Sequence, residues 1–157
     1  MKKLMLAAVT ALILACAFGS APARAGGVTV DHPMSLDGTD SCLEPGVPTQ
    51  IGASVHVATC SGSPTQLWWH NGNELEWSLG GTNLCVDAGP SQSAGQLVFL
   101  NTCTNSFVQQ WAADPVPPGS AVRIWMVGFG WCLQPRPDNL VAVYPCAQVA
   151  GQHWVGP

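Results

Sequence analysis

Past residue 25 the apolar residues fall in short runs, and no window sustains the i, i+3, i+4, i+7 spacing of an amphipathic helix. Strands are predicted over Ser54–Ala58, Glu74–Leu79, Leu97–Asn101, Val122–Val127 and Leu140–Tyr144. Asn71-Gly72, Gly80-Gly81, Pro118-Gly119 and Asp138-Asn139 punctuate them as turns. Short strands at even spacing predict an all-β protein, a barrel or a sandwich.

The pattern repeats three times. Cys60 precedes Gln66-Leu67-Trp68, Cys103 precedes Gln109-Gln110-Trp111, and Cys146 precedes Gln152-His153-Trp154. Each Cys stands 8 residues before its Trp, and successive tryptophans are 43 residues apart. The units span about 30–72, 73–116 and 117–157 of one domain, 26–157. One such unit cannot bury its own apolar face, so the three must close on each other. The period therefore selects a barrel with pseudo-threefold symmetry. Trp68, Trp111 and Trp154 are expected to fill it, and Trp77 and Trp125 are expected in the core as well. Alternation turns Trp69 to the face opposite Trp68, half-covered by a loop or open to a ligand.

A second Cys opens each unit, in Cys42-Leu43-Glu44, Cys85-Val86-Asp87 and Cys132-Leu133-Gln134. Six cysteines allow 15 pairings. One opening and one closing Cys per unit selects Cys42–Cys60, Cys85–Cys103 and Cys132–Cys146, with separations of 18, 18 and 14. Bridges closing loops of this size are worth ~3 kcal/mol each in the chain-entropy model. No C-x-x-C pair or clustered His accompanies them, so neither a metal nor another cofactor is expected.

Taken together, the Cys-Leu/Val-acid, Cys and Gln-x-Trp elements resemble the ricin-B-type (QxW) lectin repeat over about residues 30–157. The resemblance implies a β-trefoil and a secreted, non-catalytic carbohydrate-binding module. In that family a sugar site is built from the acid two residues after the opening Cys, an aromatic two before the closing Cys, and an Asn-Gln pair leading into the Trp. The Gln helps hold the acid. Here the first unit supplies Glu44, Ala58, Thr65 and Gln66, which lack the aromatic and carry a longer acid. The second supplies Asp87, Asn101, Val108 and Gln109, with the acid right and the platform gone. The third supplies Gln134, Tyr144, Gly151 and Gln152, where the platform stands but the acid is an amide. The carbohydrate-binding candidates are thus Asp87, Asn101, Gln109, Gln134, Tyr144 and Gln152, in degenerate sites. Asp87 has a rival role as a turn former before Ala88-Gly89-Pro90. Tyr144 has one as a half-buried strand residue.

The chain's ends and charge narrow the partners. Lys2 and Lys3, the apolar run Leu4 to Phe18, and Ala23-Arg24-Ala25 read as a signal peptide over 1–25, cleaved before Gly26. Secretion into an oxidising compartment suits the disulfides. Ile13-Leu14-Ala15-Cys16 offers the alternative of a surface lipoprotein lipidated at Cys16. Beyond residue 25 the chain has two arginines, no lysine and nine acids, a formal charge of −7. Nucleic acid and anionic lipid surfaces are excluded as partners. A glycan or polysaccharide suits so few charges. Because the sites are degenerate, a protein-binding or toxin-accessory role on the same scaffold is the alternative. A monomer with no membrane span is expected. His32, His56, His70 and His153 form no triad or metal spacing, and no motif sets two acids across a bond, so catalysis is not expected.

Overall fold

The computed structural model describes residues 32–71, 74–114 and 120–156. The expected leader, Cys16, and the turns at Gly72 and Pro118-Gly119 lie outside these residues, as do the side chains of Trp77 and of Glu74 and Glu76.

The described chain is all strand and turn, with three short 3-10 helices. The first unit contains β1 (His32–Pro33), β2 (Ser35–Leu36), β3 (Ser41–Pro45), β4 (Val55–Thr59) and β5 (Leu67–Asn71). The second contains β6 (Glu74–Leu79), β7 (Leu84–Asp87), β8 (Gln96–Leu97), β9 (Phe99–Thr102) and β10 (Trp111–Ala113). The third contains β11 (Val122–Met126), β12 (Trp131–Pro135), β13 (Val141–Pro145) and β14 (His153–Val155).

Each unit's last strand pairs with an early strand of the next unit. Trp68 lies opposite Leu79 in β5–β6, Trp111 opposite Met126 in β10–β11, and Trp154 opposite Leu36 in β14–β2. These pairings, with β1–β5 and β11–β14, form a nearly closed barrel. Three hairpins complete the fold, β3–β4, β7–β9 and β12–β13, with the short β8 paired to the edge of the last. The hairpins also bond to one another. Leu100 N–H donates to Ala53 O at 2.8 Å, Val98 N–H to Val141 O at 3.1 Å, and Val57 N–H to Asn139 O at 2.9 Å. The architecture is a β-trefoil with pseudo-threefold symmetry.

Its core is built in threes. Trp68, Trp111 and Trp154 are fully buried, and so are Leu43, Val86 and Leu133. Val55, Val98 and Val141 repeat at the same 43-residue period and are buried to 0%. Each barrel tryptophan has one polar atom to satisfy. Its indole N–H donates to the carbonyl after the opening Cys: Leu43 at 2.9 Å, Val86 at 2.9 Å and Leu133 at 3.2 Å. Large apolar burial is thus obtained without an orphaned donor. The disulfides Cys42–Cys60, Cys85–Cys103 and Cys132–Cys146 staple the three hairpins. Three such bridges are typical of proteins in oxidising, extracellular settings.

Two expectations need correction. Trp125 is not core. The pairing of Met126 with Trp111 sets the phase of β11, so Val122, Ile124 and Met126 point inward. Trp125 alternates to the other face and is only partly buried. The strand expected over 97–101 is split at Val98: Gln96 and Leu97 pair with β13, and Phe99–Thr102 pair with β7. One strand thus serves two hairpins in succession. Trp69 is half-buried, opposite in phase to Trp68.

Both arginines beyond residue 25 find acids. Arg136 meets Asp138 at 3.0 Å on the surface of the β12–β13 turn. Arg123 Nε donates to Asp114 at 2.9 Å, and the Arg123 backbone N–H adds a 3.3 Å bond to the same carboxylate. The side-chain bond from Arg123 holds the Asp114 carboxyl below its ordinary range.

Trp111→Ala should cost ~3–5 kcal/mol in denaturant unfolding, as for other fully buried large aromatics. Trp69→Ala should cost clearly less. Equal, small losses would contradict the core assignment. Asp114 gives a pH signature. Its depressed pKa contributes stability that is present above the unfolded carboxylate value of ~3.9 and is lost as pH falls through the folded value. The stability gap between wild type and Asp114→Asn should therefore be largest near neutrality and close in strong acid. A gap independent of pH between 2 and 7 would show the pair to be inert.

Candidate functional site

Each unit turns the end of its hairpin into a 3-10 helix, over Pro64–Gln66, Phe107–Gln109 and Ala150–Gln152. The turn drives the glutamine of Gln-x-Trp inward, and all three glutamines are buried to 1% or less. A buried amide must fill two donor and two acceptor positions. Gln109 fills all four. Its Oε1 accepts from Thr104 N at 2.9 Å and from the Thr104 hydroxyl at 3.2 Å. Its Nε2 donates to Thr102 O at 2.9 Å and to Asp87 Oδ2 at 3.1 Å.

Gln66 repeats the arrangement with Ser61, Thr59 and Glu44 Oε2. Gln152 repeats it with Ala147 N, Pro145 O and Gln134 Oε1, but Ala147 has no hydroxyl to add. The glutamines therefore clamp the residue after the closing Cys, the residue before it, and the polar group two places after the opening Cys.

The three held groups differ. Glu44 takes a second bond at 2.9 Å from the Thr65 hydroxyl, and the register sets His56 across from it. Asp87 is only 4% exposed. Its Oδ2 accepts from Asn101 Nδ2 and Gln109 Nε2, both at 3.1 Å, and its Oδ1 from Gly89 N at 2.7 Å. The last bond is the side-chain-to-backbone turn expected of Asp before Ala-Gly. Asp87 is thus both turn former and centre of a polar cluster. Gln134 uses its oxygen on Gln152 at 2.9 Å and makes no other side-chain bond among the described residues.

Asn101 and Tyr144 occupy equivalent places, opposite Cys85 and Cys132 in their hairpins. Asn101 is spent on Asp87 and on Thr102 N, which its Oδ1 accepts at 2.9 Å. Tyr144 is partly buried and lies against a second-unit loop. A side chain added at Gly95 would stand 3.6 Å from the Tyr144 hydroxyl, and Gly95 has a φ of +83° that favours glycine. Of the six candidates, the structure joins Asp87, Asn101 and Gln109 in one cluster and Gln134 with Gln152 in another. Gln109 and Gln152 are buried and act by holding their partner.

A cleft of about 350 Å³ opens over the second cluster, lined by Asp87, Pro90, Phe99, Asn101, Ser106 and Phe107 among others. Phe99 and Phe107 are the aromatic groups here, and neither was among the candidates. Phe99 lies directly across β7–β9 from Asp87. Alternation puts it on the same face as Asn101, two residues earlier, and that spacing was the available signal. Among the described residues no group of three or more His, Cys, Asp or Glu is placed to hold a metal ion.

A threefold barrel whose units each carry a hairpin disulfide and a buried glutamine holding a polar residue defines a trefoil of lectin type. The chain belongs to the ricin-type beta-trefoil lectin domain family, whose profile matches residues 27–111, more than half of its length. The match spans the first two units. No curated protein matches at the level of sequence. Among solved structures, the designed threefold-symmetric protein ThreeFoil superposes with a TM-score of 0.70 at 18% identity, covering 80% of this chain and 96% of its own. The β-trefoil lectin of the Vibrio vulnificus hemolysin/cytolysin, solved with N-acetyl-D-lactosamine bound, gives 0.60 at 21% identity, covering 81% and 93%. A mosquitocidal holotoxin gives 0.67 at 12% identity over 83% of this chain and 17% of that one. At these identities the likeness is one of fold.

Replacing Asp87 tests how far this cluster is structural. Asp87→Ala leaves two buried donors, Gly89 N–H and Gln109 Nε2, and the partly buried Asn101 Nδ2 short of an acceptor, and should cost ~2–3 kcal/mol of stability, since each orphaned buried group costs ~1–3 kcal/mol and some recover water. Gln109→Ala should cost as much. A denaturant midpoint unchanged in both variants would mean that the cluster carries no folding energy.

Proposed function

We propose that this chain is an exported, non-catalytic carbohydrate-binding module whose sugar sites have diverged unequally. The observation that carries the reading is the second-unit cluster, where family acid, family glutamine and an open cleft coincide. The family to which the chain belongs supports it, and so do the three disulfides. Sugars present hydroxyl edges and apolar faces, and the cleft pairs Asp87 and Asn101 with aromatic rings. The third unit offers a second, weaker site. Gln134 has amide hydrogens to donate, and Tyr144 stands at the platform position. With neither site complete, affinity per site is low and useful binding relies on engaging several sites at once. The single domain 26–157 and the leader 1–25 complete this reading.

The alternative is a protein-binding or toxin-accessory role. The likeness in fold to part of a mosquitocidal holotoxin supports this role, as do Val47 and Ile51, which are 92% and 59% exposed on the β3–β4 loop.

A glycan array and calorimetry on the oxidised chain, Asp87→Ala, Tyr144→Ala and the double variant decide between them. All are measured well below their melting temperatures. The expected result is weak glycan binding, reduced about tenfold or more by Asp87→Ala, reduced less by Tyr144→Ala, and lost in the double variant. Binding that survives in the double variant would place the sites elsewhere. A wild type that binds no glycan but forms a stable complex with a protein encoded beside it would establish the accessory role instead.

A further inference from the structure

We infer that the second-unit cleft is an aromatic clamp for a methyl-bearing neutral sugar, with one wall positioned by the third unit. This rests on the carbohydrate-binding reading and specifies the ligand at one site. Asp87 serves the cleft mainly by holding the Gly89 turn and Asn101 in place, so its loss weakens binding although its carboxylate has little direct hold on the ligand. Asp87 is 4% exposed, and Gly89, Asn101 and Gln109 already donate to it. A carboxylate has about four acceptor positions, so little is left for a ligand hydroxyl. Asn101 is similarly spent, on Asp87 and Thr102.

The cleft's free offering is aromatic surface. Phe99 faces Asp87 across the hairpin, and its ring lies on Gly89. A Cβ at Gly89 would stand 3.3 Å from Phe99 Cε1, and the φ of +67° there also calls for glycine. The turn that Asp87 caps is therefore also the backing for Phe99. Phe107 lines the same cleft from its 3-10 helix and is 57% exposed. A lone exposed apolar residue needs no explanation, but Phe107 is braced. The Phe129 ring, on the turn between β11 and β12, lies 5.8 Å from it with 33° between the planes. That is the separation of an interacting aromatic pair. A residue of one unit thus holds a wall of its neighbour's cleft.

The ligand's chemistry follows from this lining. Thr104 and Ser106 also line the cleft and suit a few hydroxyls. The Asp87 carboxylate and the formal charge of −7 carried beyond residue 25 disfavour acidic sugars. In a cleft lined by two phenyl rings a methyl group gains the most, whether it comes from an acetamido substituent or from a deoxy carbon. One buried carbon of this kind is worth about fourfold in affinity.

The test titrates the oxidised chain with two pairs of sugars, N-acetyl-D-galactosamine against D-galactose and L-fucose against L-galactose. The methyl-bearing member of at least one pair should bind about fourfold tighter, with the strongest NMR saturation transfer on its methyl protons. Which pair shows the preference identifies the source of the methyl, and either supports the clamp. Phe99→Ala and Phe107→Ala should each abolish the preference. Phe129→Ala should lower the ratio toward one and Phe129→Tyr should restore it, as a positioning role requires. Ile51→Ala, exposed and outside the cleft lining, should change nothing. Thermal melts check that each variant is folded, and the exposed Phe107 keeps the test available if Phe99→Ala is not. Equal affinity within both pairs, or a preference that survives Phe107→Ala, overturns the clamp and leaves the lectin reading standing. A wild type that binds no sugar overturns both.

Discussion

A primary amide sealed inside a protein has four hydrogen-bonding positions, and leaving any of them empty costs free energy. That constraint organises each unit of this molecule. Gln109 can be buried to 0% only because Thr104, Thr102 and Asp87 all converge on it. The 3-10 helix delivers the glutamine, the hairpin brings the partners, and the disulfide keeps the two strands in register beneath them. The tryptophan two residues on then enters the barrel, with its indole N–H on the carbonyl after the opening Cys. Hairpin and barrel strand are tied by polar bonds that would all be orphaned together, so each unit has one low-energy arrangement.

The units depend on each other as much as on themselves. Each barrel tryptophan faces a residue of the following unit, Leu79, Met126 or Leu36, and the hairpins trade backbone bonds around the axis. This dependence reaches the surface. Phe129 lies on Phe107, and Tyr144 lies on the loop that carries Gly95. The groups around the second and third clusters are thus assembled from more than one repeat, and an isolated unit would lose part of its lining as well as its core.

The legible part of the sequence was the part this satisfaction forbids to vary. Trp68, Trp111 and Trp154, the six cysteines and the three glutamines are buried or bridged, and their spacing alone announced the barrel and its period. The pairing of the cysteines followed from the same logic. Trp125 misled because hydrophobicity says that a residue packs but not on which face. The phase of β11 is set by Met126 meeting Trp111, a contact between units. Phe99 was missed for a related reason. Counting back a fixed two residues from the closing Cys lands on Asn101, whereas the aromatic stands two further back, on the same face. Phe107 lay hidden beside Gln109 in a turn with no strand alternation to give its direction.

The divergence of the three clusters follows from the same division. Nothing in the barrel requires the held group to be a carboxylate. It requires only an acceptor for the glutamine's N–H, and Glu44, Asp87 and the oxygen of Gln134 all serve. The scaffold therefore tolerates the loss of charge at the third cluster without loss of fold, and the shorter β12–β13 hairpin likewise keeps its bridge with 14 residues between cysteines where the others have 18. Selection on ligand can then act on each unit separately, through side chains that face outward from a polar knot repeated in all three units. A trefoil of this kind is a strong guide to fold and a weak guide to ligand because the interactions that hold it together point inward, and those that meet a partner are built on what they leave free.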